Sequence, residues 1–336
     1  MRLADKEKEG ERPRAMSDVI GLALPFFGLI FLGYVAGRIW REEEKALAWL
    51  NIFVIYFALP ALFFQLISKT PIEELANFSF IFATTFATYT AFAFAFVYAV
   101  LTGGGRIPEA TVQGLVGGYG NVGYMGPPLA LVALGPKAAV PAALIFCFDV
   151  TLVFTLAPLM MALAGASHQP LRRTLLAIPR KVLLHPFILA TIAGVIGAAL
   201  EVRPPEAVDR LLTLLQNAAA PCALFALGVT VALRPLERVP GELPVLIAIK
   251  LILHPILAYL LLTWIGGLDP VWIYTGVLMA SLPPAATIYV IATQYRIYVL
   301  RGSSAILLGT AASVVTVSLV LYLVSTGALP ADPFGR

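Results

Sequence analysis

The sequence predicts an all-α polytopic membrane protein whose ten transmembrane helices form two inverted repeats of five. First, 60% of the 336 residues are hydrophobic and only 12% are charged, and the mean hydropathy of +0.88 exceeds what a soluble domain of this length needs. Second, ten apolar stretches are each long enough to cross a hydrocarbon core of roughly 30 Å. Third, proline interruptions recur five stretches apart, which indicates an internal repeat.

The ten predicted spans are separated by short polar connections, and the first span lacks the features of a cleaved signal peptide. It runs for about twenty apolar residues from Val19, and no small-residue cleavage pattern follows it. Residues 1–15 are polar and charged, a composition typical of disorder, and Met16 is an alternative start of translation. The spans are predicted near residues 19–38, 46–67, 78–101, 110–133, 137–162, 178–200, 208–232, 243–265, 271–294 and 303–326.

These spans divide the chain into two halves joined by one loop. The predicted division is residues 1–15 (N-terminal tail), 16–163 (first five-helix repeat), 164–177 (cytoplasmic loop), 178–327 (second, inverted repeat) and 328–336 (C-terminal tail).

The distribution of basic residues predicts the orientation, because cytoplasmic connections carry an excess of Lys and Arg. Twelve follow the odd-numbered spans and five follow the even-numbered spans. Both termini are therefore expected outside the cytoplasm, in the cell (inner) membrane, although the charged N-terminal tail argues mildly against this. The twelve are Arg38, Arg41, Lys45, Arg106, Arg172, Arg173, Arg180, Lys181, Arg234, Arg238, Arg296 and Arg301; the five are Lys69, Lys137, Arg203, Arg210 and Arg336.

Prolines mark the repeat. Span 2 reads ALPALFFQL around Pro60, and span 7 reads AAPCALFAL around Pro221. Span 4 carries Pro127-Pro128 and span 9 carries Pro283-Pro284, so the offsets are 161 and 156 residues. Because each repeat has an odd number of spans, the second copy is inverted in the membrane.

Spans 4 and 9 are predicted to be broken helices. Span 4 contains GGYGNVGYMGPPLALVALG from Gly117 onward, and glycines and consecutive prolines remove helical hydrogen bonds. Half-helix N-termini that meet near the midplane direct partial positive charge at one point, which suits a carboxylate. Asn121, in the glycine-rich break, can donate to a carboxylate. The alternative is a pair of proline kinks that only shape packing.

These residues resemble a known family. Asn121-Val-Gly-Tyr-Met-Gly-Pro-Pro-Leu129 looks like the NxxxMGxPL segment of the PIN-type auxin efflux carriers, and Leu282-Pro283 through Ile291–Tyr295 resembles their ninth span. The resemblance extends from about Met16 to Thr326. It implies the wider auxin efflux carrier family, whose bacterial members include malonate-type transporters and which is related to bile-acid symporters and sodium/proton antiporters. It also implies an elevator mechanism and a homodimer.

Two departures from the plant pattern are informative. The long hydrophilic loop between spans 5 and 6 is reduced to about fifteen residues that contain Arg172 and Arg173, so control by kinases through that loop is not expected. Pro284-Ala285 stands where plant members have Gln-Gly, which argues against auxin itself as the substrate.

The resemblance and the broken-helix pattern together give the predicted substrate site. Polar side chains elsewhere in the spans are weaker candidates, because they can equally hydrogen-bond a neighbouring helix. The predicted residues are Asn121, Tyr124, Gly126, Pro127, Pro128, Ser281, Pro283 and Pro284, with Asn51, Asn217 and Gln65 as the weaker set.

Charged residues inside predicted spans give a second candidate site. Asp149 lies in span 5, Lys250 in span 8, and His254 one turn after Lys250; ionisable groups at such depth are functional by default. The related antiporters place a carboxylate and a lysine on the corresponding helices, which implies a proton-coupling pair. The alternatives are that Lys250 snorkels to the interface, or that Asp149 is structural, either in an ion pair or bonded to a Ser or Thr neighbour such as Thr151. His185 is interpreted as interfacial.

The leading hypothesis is a secondary active transporter of a small organic anion, a malonate-like or auxin-like carboxylate. Spans 3–5 and 8–10 would move against a scaffold of spans 1–2 and 6–7, coupled to protons; a sodium-coupled carrier or a uniporter is the alternative. No ATP-binding motif is present. An intramembrane enzyme has little support, since three histidines and no HExxH are present. A sensor would carry a soluble output domain. No cofactor, metal or nucleic acid is expected, and Cys147 and Cys222 are interpreted as small buried side chains.

Overall fold

The computed structural model describes residues 16–42, 44–71, 75, 77–166, 171–233 and 239–335, and this part of the chain is helical throughout apart from turns and two extended breaks. The predicted N-terminal tail, His168, Arg234, Arg238 and Arg336 lie outside the described residues. The helices are α1 Met16–Trp40, α2 Lys45–Ser68, α3 Phe78–Thr102, α4 Ile107–Gly118, α5 Gly126–Leu134, α6 Pro136–Leu163, α7 Leu171–Leu183, α8 Pro186–Ala199, α9 Glu206–Leu233, α10 Leu243–Ile265, α11 Pro270–Ala280, α12 Thr287–Tyr295 and α13 Val299–Ser325.

The prediction of a polytopic helical membrane protein is confirmed. Within the described residues, six helices are long and apolar enough to cross a membrane, namely α2, α3, α6, α9, α10 and α13. A bent pair, α7 and α8, makes a seventh if it is counted as one span, with a bend of 51°. The other predicted spans differ because the fourth and ninth are each divided into two short helices, and the described apolar part of the first is Leu24–Trp40.

The two divided spans break for different local reasons. After α4, Tyr119 adopts an extended conformation, and helical structure resumes only at Gly126. Pro127 and Pro128 begin α5 rather than break the helix, since the first positions of a helix need no N–H donor. After α11, by contrast, Pro283 and Pro284 lie within the break itself.

Three of the long helices contain one wide π turn, at Val54–Ala58, Leu152–Leu156 and Ile249–Leu253. Each is followed two residues later by a proline: Pro60, Pro158 and Pro255. A proline ring clashes with the carbonyl four residues earlier, and a wider turn moves that carbonyl aside. These turns change which side chains face inward, and the one in α10 carries Lys250.

The most extensive packing falls into two groups of helices. In one group, α1 packs along α9, and α2 packs on α8 and α9. A Cβ added at Gly228 would overlap the Ile30 carbonyl, so α1 and α9 approach closely enough to exclude a side chain there. In the other group, α3 packs on α4 and α10, and α10 on α11. This division determines where the cavity lies.

The connection between the halves is more helical than predicted. Residues 171–177, placed in the cytoplasmic loop by the sequence, form the first half of α7. Its basic residues, Arg172, Arg173, Arg180 and Lys181, are exposed. Since Pro186 begins α8 and His185 is extended, the bend falls where the pre-proline residue disfavours a helix.

Candidate functional site

A cavity of about 300 Å³ lies where the two groups of helices face each other. One wall comes from α2, α8 and α9; the other comes from α6, the break after α4 and the start of α12. The lining residues are Asn51, Ile55, Tyr119, Gly120, Asn121, Gly123, Tyr124, Phe146, Val150, Phe154, His185, Phe187, Ala226, Leu227, Thr230, Ala285, Ala286, Thr287 and Val290.

The two breaks meet at this cavity as a short antiparallel pairing. Gly120 pairs with Pro284. The Asn121 N–H donates to the Pro283 carbonyl at 2.8 Å, and the Ala285 N–H donates to the Tyr119 carbonyl at 3.2 Å. Backbone groups released from helical bonding at membrane depth therefore satisfy each other. The pairing fixes the position of one break relative to the other.

Asn121 accepts hydrogen bonds across the first break, and its side-chain nitrogen has no partner among the described residues. It is only 2% exposed. Its backbone carbonyl accepts from the N–H groups of Met125 and Gly126, both at 3.2 Å, and its side-chain oxygen accepts from the Tyr124 N–H at 3.4 Å. Its Nδ2 has no hydrogen-bond partner among the described residues. Because an unpaired buried donor costs about 1–3 kcal/mol, this amide is a candidate donor to a ligand in the cavity that Asn121 lines.

The half-helix N-termini at the two breaks differ in what they present to the cavity. At α5, the Gly126 N–H is bonded to Asn121, and Pro127 and Pro128 have no N–H. At α12, the Ile288 N–H donates to the Ala285 carbonyl at 3.1 Å, whereas the N–H groups of Ala286 and Thr287 donate to none of the described residues. Ala286 and Thr287 line the cavity, so the positive end of α12 faces a ligand there.

The structure brings together only some of the predicted substrate residues. Asn121, Tyr124 and Asn51 line the cavity. Others are held elsewhere: the Ser281 hydroxyl donates to the Leu278 carbonyl at 2.7 Å, and Gln65 donates to the Asp209 carbonyl at 3.0 Å. Buried beside the pairing but outside the lining are Gly126, Pro127, Pro128, Pro283 and Pro284, and Asn217 is exposed on α9.

His185 is a lining residue that the sequence analysis interpreted as interfacial. Its Nδ1 accepts from the Phe187 N–H at 3.4 Å, which caps α8. Its ring packs 5.4 Å from the ring centre of Phe154 and 5.9 Å from that of Phe146. With Nδ1 acting as an acceptor, the neutral ring carries its proton on Nε2. The His-Pro pair before an apolar stretch signals a helix cap but does not reveal a cavity.

No Lys, Arg, Asp or Glu is among the described residues that line this cavity. Its donors are neutral: the Asn121 amide, the N–H groups at the start of α12 and the side chains of Asn51, Tyr119, Tyr124, His185, Thr230 and Thr287. The rest of the wall is apolar and aromatic. Such a surface suits a small molecule with one polar end and little charge to compensate.

A second cluster, of ionisable groups, lies on the other side of the paired break. Asp149 and His254 are 2% and 3% exposed, and Lys250 is fully buried. Lys250 Nζ lies 3.0 Å from His254 Nδ1, and His254 Nε2 lies 3.2 Å from the Thr88 hydroxyl. The same hydroxyl interacts with the Asp149 carboxyl. Lys250, His254 and Thr88 are therefore linked in that order, and Asp149 lies beside Thr88 at the end of this series.

The cluster answers one of the alternatives left open by the sequence and leaves a structural role for Asp149, through Thr88, as the other. Lys250 does not snorkel, since its side chain is fully buried. Thr151 is not the partner of Asp149: its hydroxyl donates to the Phe148 carbonyl and lies 3.1 Å from the Tyr89 hydroxyl. Asp149 Oδ1 has no hydrogen-bond partner among the described residues.

The described residues contain neither a candidate metal site nor a disulfide bond. No group of three or more His, Cys, Asp or Glu is placed to hold a metal ion in these residues. Cys147 and Cys222 are free thiols that are partly exposed rather than fully buried.

Comparison with known proteins agrees with the family suggested by the motifs. The model of the family described as "Membrane transport protein" matches residues 18–321. A protein of Rhizobium meliloti (strain 1021) named "Putative malonate transporter" is 52% identical over 319 residues, which are 95% of this chain and all of that protein. The "Uncharacterized transporter YfdV" of Escherichia coli (strain K12) is 29% identical over 320 residues, 90% and 97% of the two chains. An "Uncharacterized transporter" of Methanothermobacter thermautotrophicus is 25% identical over 301 residues, 87% and 93%.

These matches span nearly the whole chain, and the names point to a transporter rather than an enzyme. The protein is therefore a multi-pass membrane protein that belongs to the membrane transport protein family, the family of PIN-like auxin efflux carriers and malonate-type transporters.

Proposed function

We propose that this protein is a secondary active transporter of a small carboxylate anion of the malonate type. The observation that carries the proposal is the cavity at the paired breaks, which is lined by Asn121, whose amide nitrogen is unpaired, and by Ala286 and Thr287 at the N-terminal end of α12. Donors of this kind suit a carboxylate. The relative with the name "Putative malonate transporter" supports malonate as the first candidate.

The full architecture we propose has ten spans in two inverted repeats of five, with spans 4 and 9 broken and crossing. The pairing of Gly120 with Pro284 supports it, because it joins equivalent breaks of the two halves. We propose that the protein lies in the cell (inner) membrane with both termini outside, following the excess of basic residues in alternate connections.

Transport in this proposal proceeds by alternating access of the elevator type. The scaffold comprises α1, α2, α8 and α9, and the moving core comprises the remaining spans, α3–α6 and α10–α13. The cavity supports this division, since one wall belongs to the scaffold and the other carries the breaks. Movement of the core would carry Asn121 and its anion past the scaffold wall. A homodimer, held together through the scaffold, would keep that wall fixed in the bilayer.

Protons are the proposed coupling ion. Asp149, His254 and Lys250 are buried next to one another and behind the backbone segment that lines the cavity. Loading a proton there changes the net charge of the core and so biases one conformation over the other. Sodium coupling and uniport are the competing mechanisms, and they predict a different response to imposed gradients.

The experiment that tests the proposed function is a ligand screen on purified protein, followed by thermal unfolding. Malonate, succinate, acetate and indole-3-acetate are compared at equal ionic strength, since a ligand that binds only the folded state raises the unfolding temperature. We expect stabilisation by malonate that saturates with concentration. Stabilisation by none of the four acids, together with no malonate uptake into proteoliposomes, would refute the proposal.

A further inference from the structure

Lys250 is held at a position that its role in a proton chain does not explain. Its Nζ donates to the Ala280 carbonyl, the last residue of α11. Gly120, two residues after the end of α4, lies on its other side: a Cβ added there would sit 3.1 Å from Nζ. The ammonium therefore lies between the C-terminal ends of the two half-helices that lead into the breaks.

Electrostatics make that position a site for a cation. The C-terminal end of a helix carries roughly half an elementary negative charge, and carbonyls in the last turn lack helical partners. Two such ends converge here, and the Asp149 carboxyl is buried in the same cluster. Without a positive charge, these dipoles and the carboxylate would oppose one another in a region that excludes water.

The π turn of α10 and the glycine at position 120 make room for the Lys250 side chain. The π turn Ile249–Leu253 presents Lys250 inward while Pro255 continues the helix. A glycine at position 120 leaves room for the ammonium, because any side chain would crowd it. His254 Nδ1, 3.0 Å from Nζ, accepts a further hydrogen bond from it. An ordinary buried ion pair would need neither the convergence of two helix ends nor the missing side chain.

We propose that the Lys250 ammonium is a built-in cation at the junction of the two half-helices, and that it does there what an alkali cation bound from solution would otherwise do. The transporter should accordingly need no sodium ion. Truncation of Lys250 should uncover a site that keeps the Ala280 carbonyl and His254 Nδ1, the two groups hydrogen-bonded to Nζ, with the Asp149 carboxylate buried in the same cluster. A carbonyl and a carboxylate are oxygen groups of the kind that hard cations prefer. The inference rests on the proposed function only for its transport readout.

The test compares wild type with Lys250→Ala and Lys250→Met in NaCl and in choline chloride at equal ionic strength. Wild type should unfold at the same temperature in both salts. Lys250→Ala should be less stable in choline and should gain a saturable rise of about 3 °C with Na⁺. Lys250→Met is the matched control, because its side chain fills the space without a charge, and it should gain no such rise. Adding Asp149→Asn to Lys250→Ala should abolish the effect of sodium.

Each result supports or overturns the inference. A sodium-specific stabilisation of wild type, or a sodium requirement for wild-type malonate uptake, would overturn it. So would a Lys250→Ala protein that responds equally to Na⁺ and choline. If that variant does not fold in choline, its yield on expression and purification in NaCl against choline is the readout, and equal failure in both overturns the inference. Malonate binding by wild type, measured in choline, separates these outcomes from failure of the proposed function.

Discussion

The two sides of the paired break differ in kind. On one side is a cavity whose described lining is neutral, with polar groups that are amides, tyrosine and threonine hydroxyls and an imidazole. On the other side are Asp149, Lys250 and His254, buried and linked through Thr88. The sites that we propose for anion recognition and for charge storage are therefore distinct sets of residues, and Gly120 of the paired break lies next to both. Changes on one side should therefore spare the function of the other.

The largest expected effect comes from Asp149→Asn, which makes the carboxyl permanently neutral. Accumulation of malonate driven by a pH gradient should be lost, because protonation no longer biases one conformation, while malonate binding and exchange persist. The measurement is uptake into proteoliposomes with and without an imposed pH gradient. Glu206→Gln is the control, since Glu206 is an exposed carboxylate whose partner is Arg210.

Two outcomes would contradict this assignment. One is wild-type uptake that ignores the gradient. The other is an Asp149→Asn protein that responds to the gradient as wild type does. In either case Asp149 is structural, and the protein is better described as a uniporter or as coupled to another ion.

The next effect concerns the neutral side of the comparison. Asn121→Ala should weaken malonate binding roughly fivefold or more, since it removes one hydrogen bond to the anion worth about 1 kcal/mol. Titration calorimetry on purified protein measures it. Asn217→Ala is the matched control, because Asn217 is exposed on α9 outside the cavity. Equal affinities in wild type and Asn121→Ala would remove Asn121 from the site.

Gly120→Ala probes the layer between the two sides, and its effect should be smaller. The added methyl group lies 3.1 Å from Lys250 Nζ and 3.5 Å from the Met279 carbonyl. Overpacking of this kind costs about 1–3 kcal/mol and should lower the unfolding temperature by a few degrees. Gly28→Ala is the control, since nothing lies within 4 Å of its new Cβ. No difference between the two variants would mean that the junction is looser than described.

The smallest perturbation is a single cysteine that reports the side of the membrane. The native cysteines Cys147 and Cys222 are first replaced. Arg172→Cys, on exposed α7, should then react with an impermeant reagent only from the cytoplasmic side, and Lys137→Cys only from outside. Labelling of Arg172→Cys from outside intact cells would contradict the proposed orientation.

Much of this arrangement could be predicted from the sequence. The length of an apolar stretch is set by the thickness of the bilayer, so the class of a polytopic helical membrane protein is visible in composition alone. The number of spans is not: six of the described helices, or seven with the bent pair, are long and apolar enough, against ten predicted. The glycine-rich segment around Asn121 predicts a break, because glycine and proline disfavour a continuous helix wherever they occur. These are local properties, and they did not need the rest of the fold.

The parts that could not be predicted depend on partners distant in the chain. The sequence predicts the break at Pro127 and Pro128, yet these prolines lie in the first turn of α5. The extended segment comes earlier in the chain, where Tyr119 and Asn121 pair with Ala285 and Pro283. His185 reads as interfacial, and only its packing against Phe146 reveals a place in the cavity wall. Lys250 reads as able to snorkel, since the π turn that buries it is invisible in composition.

The separation of anion recognition from charge storage is tested most directly by measuring two quantities on two variants. Malonate affinity and gradient-driven accumulation, the latter at malonate concentrations that saturate each variant, are determined for Asn121→Ala and Asp149→Asn in the same proteoliposome preparations. We expect Asn121→Ala to lose affinity for malonate and to keep its response to the pH gradient, whereas Asp149→Asn should keep its affinity and lose that response. Equal loss of both quantities in both variants would contradict the separation of anion recognition from charge storage.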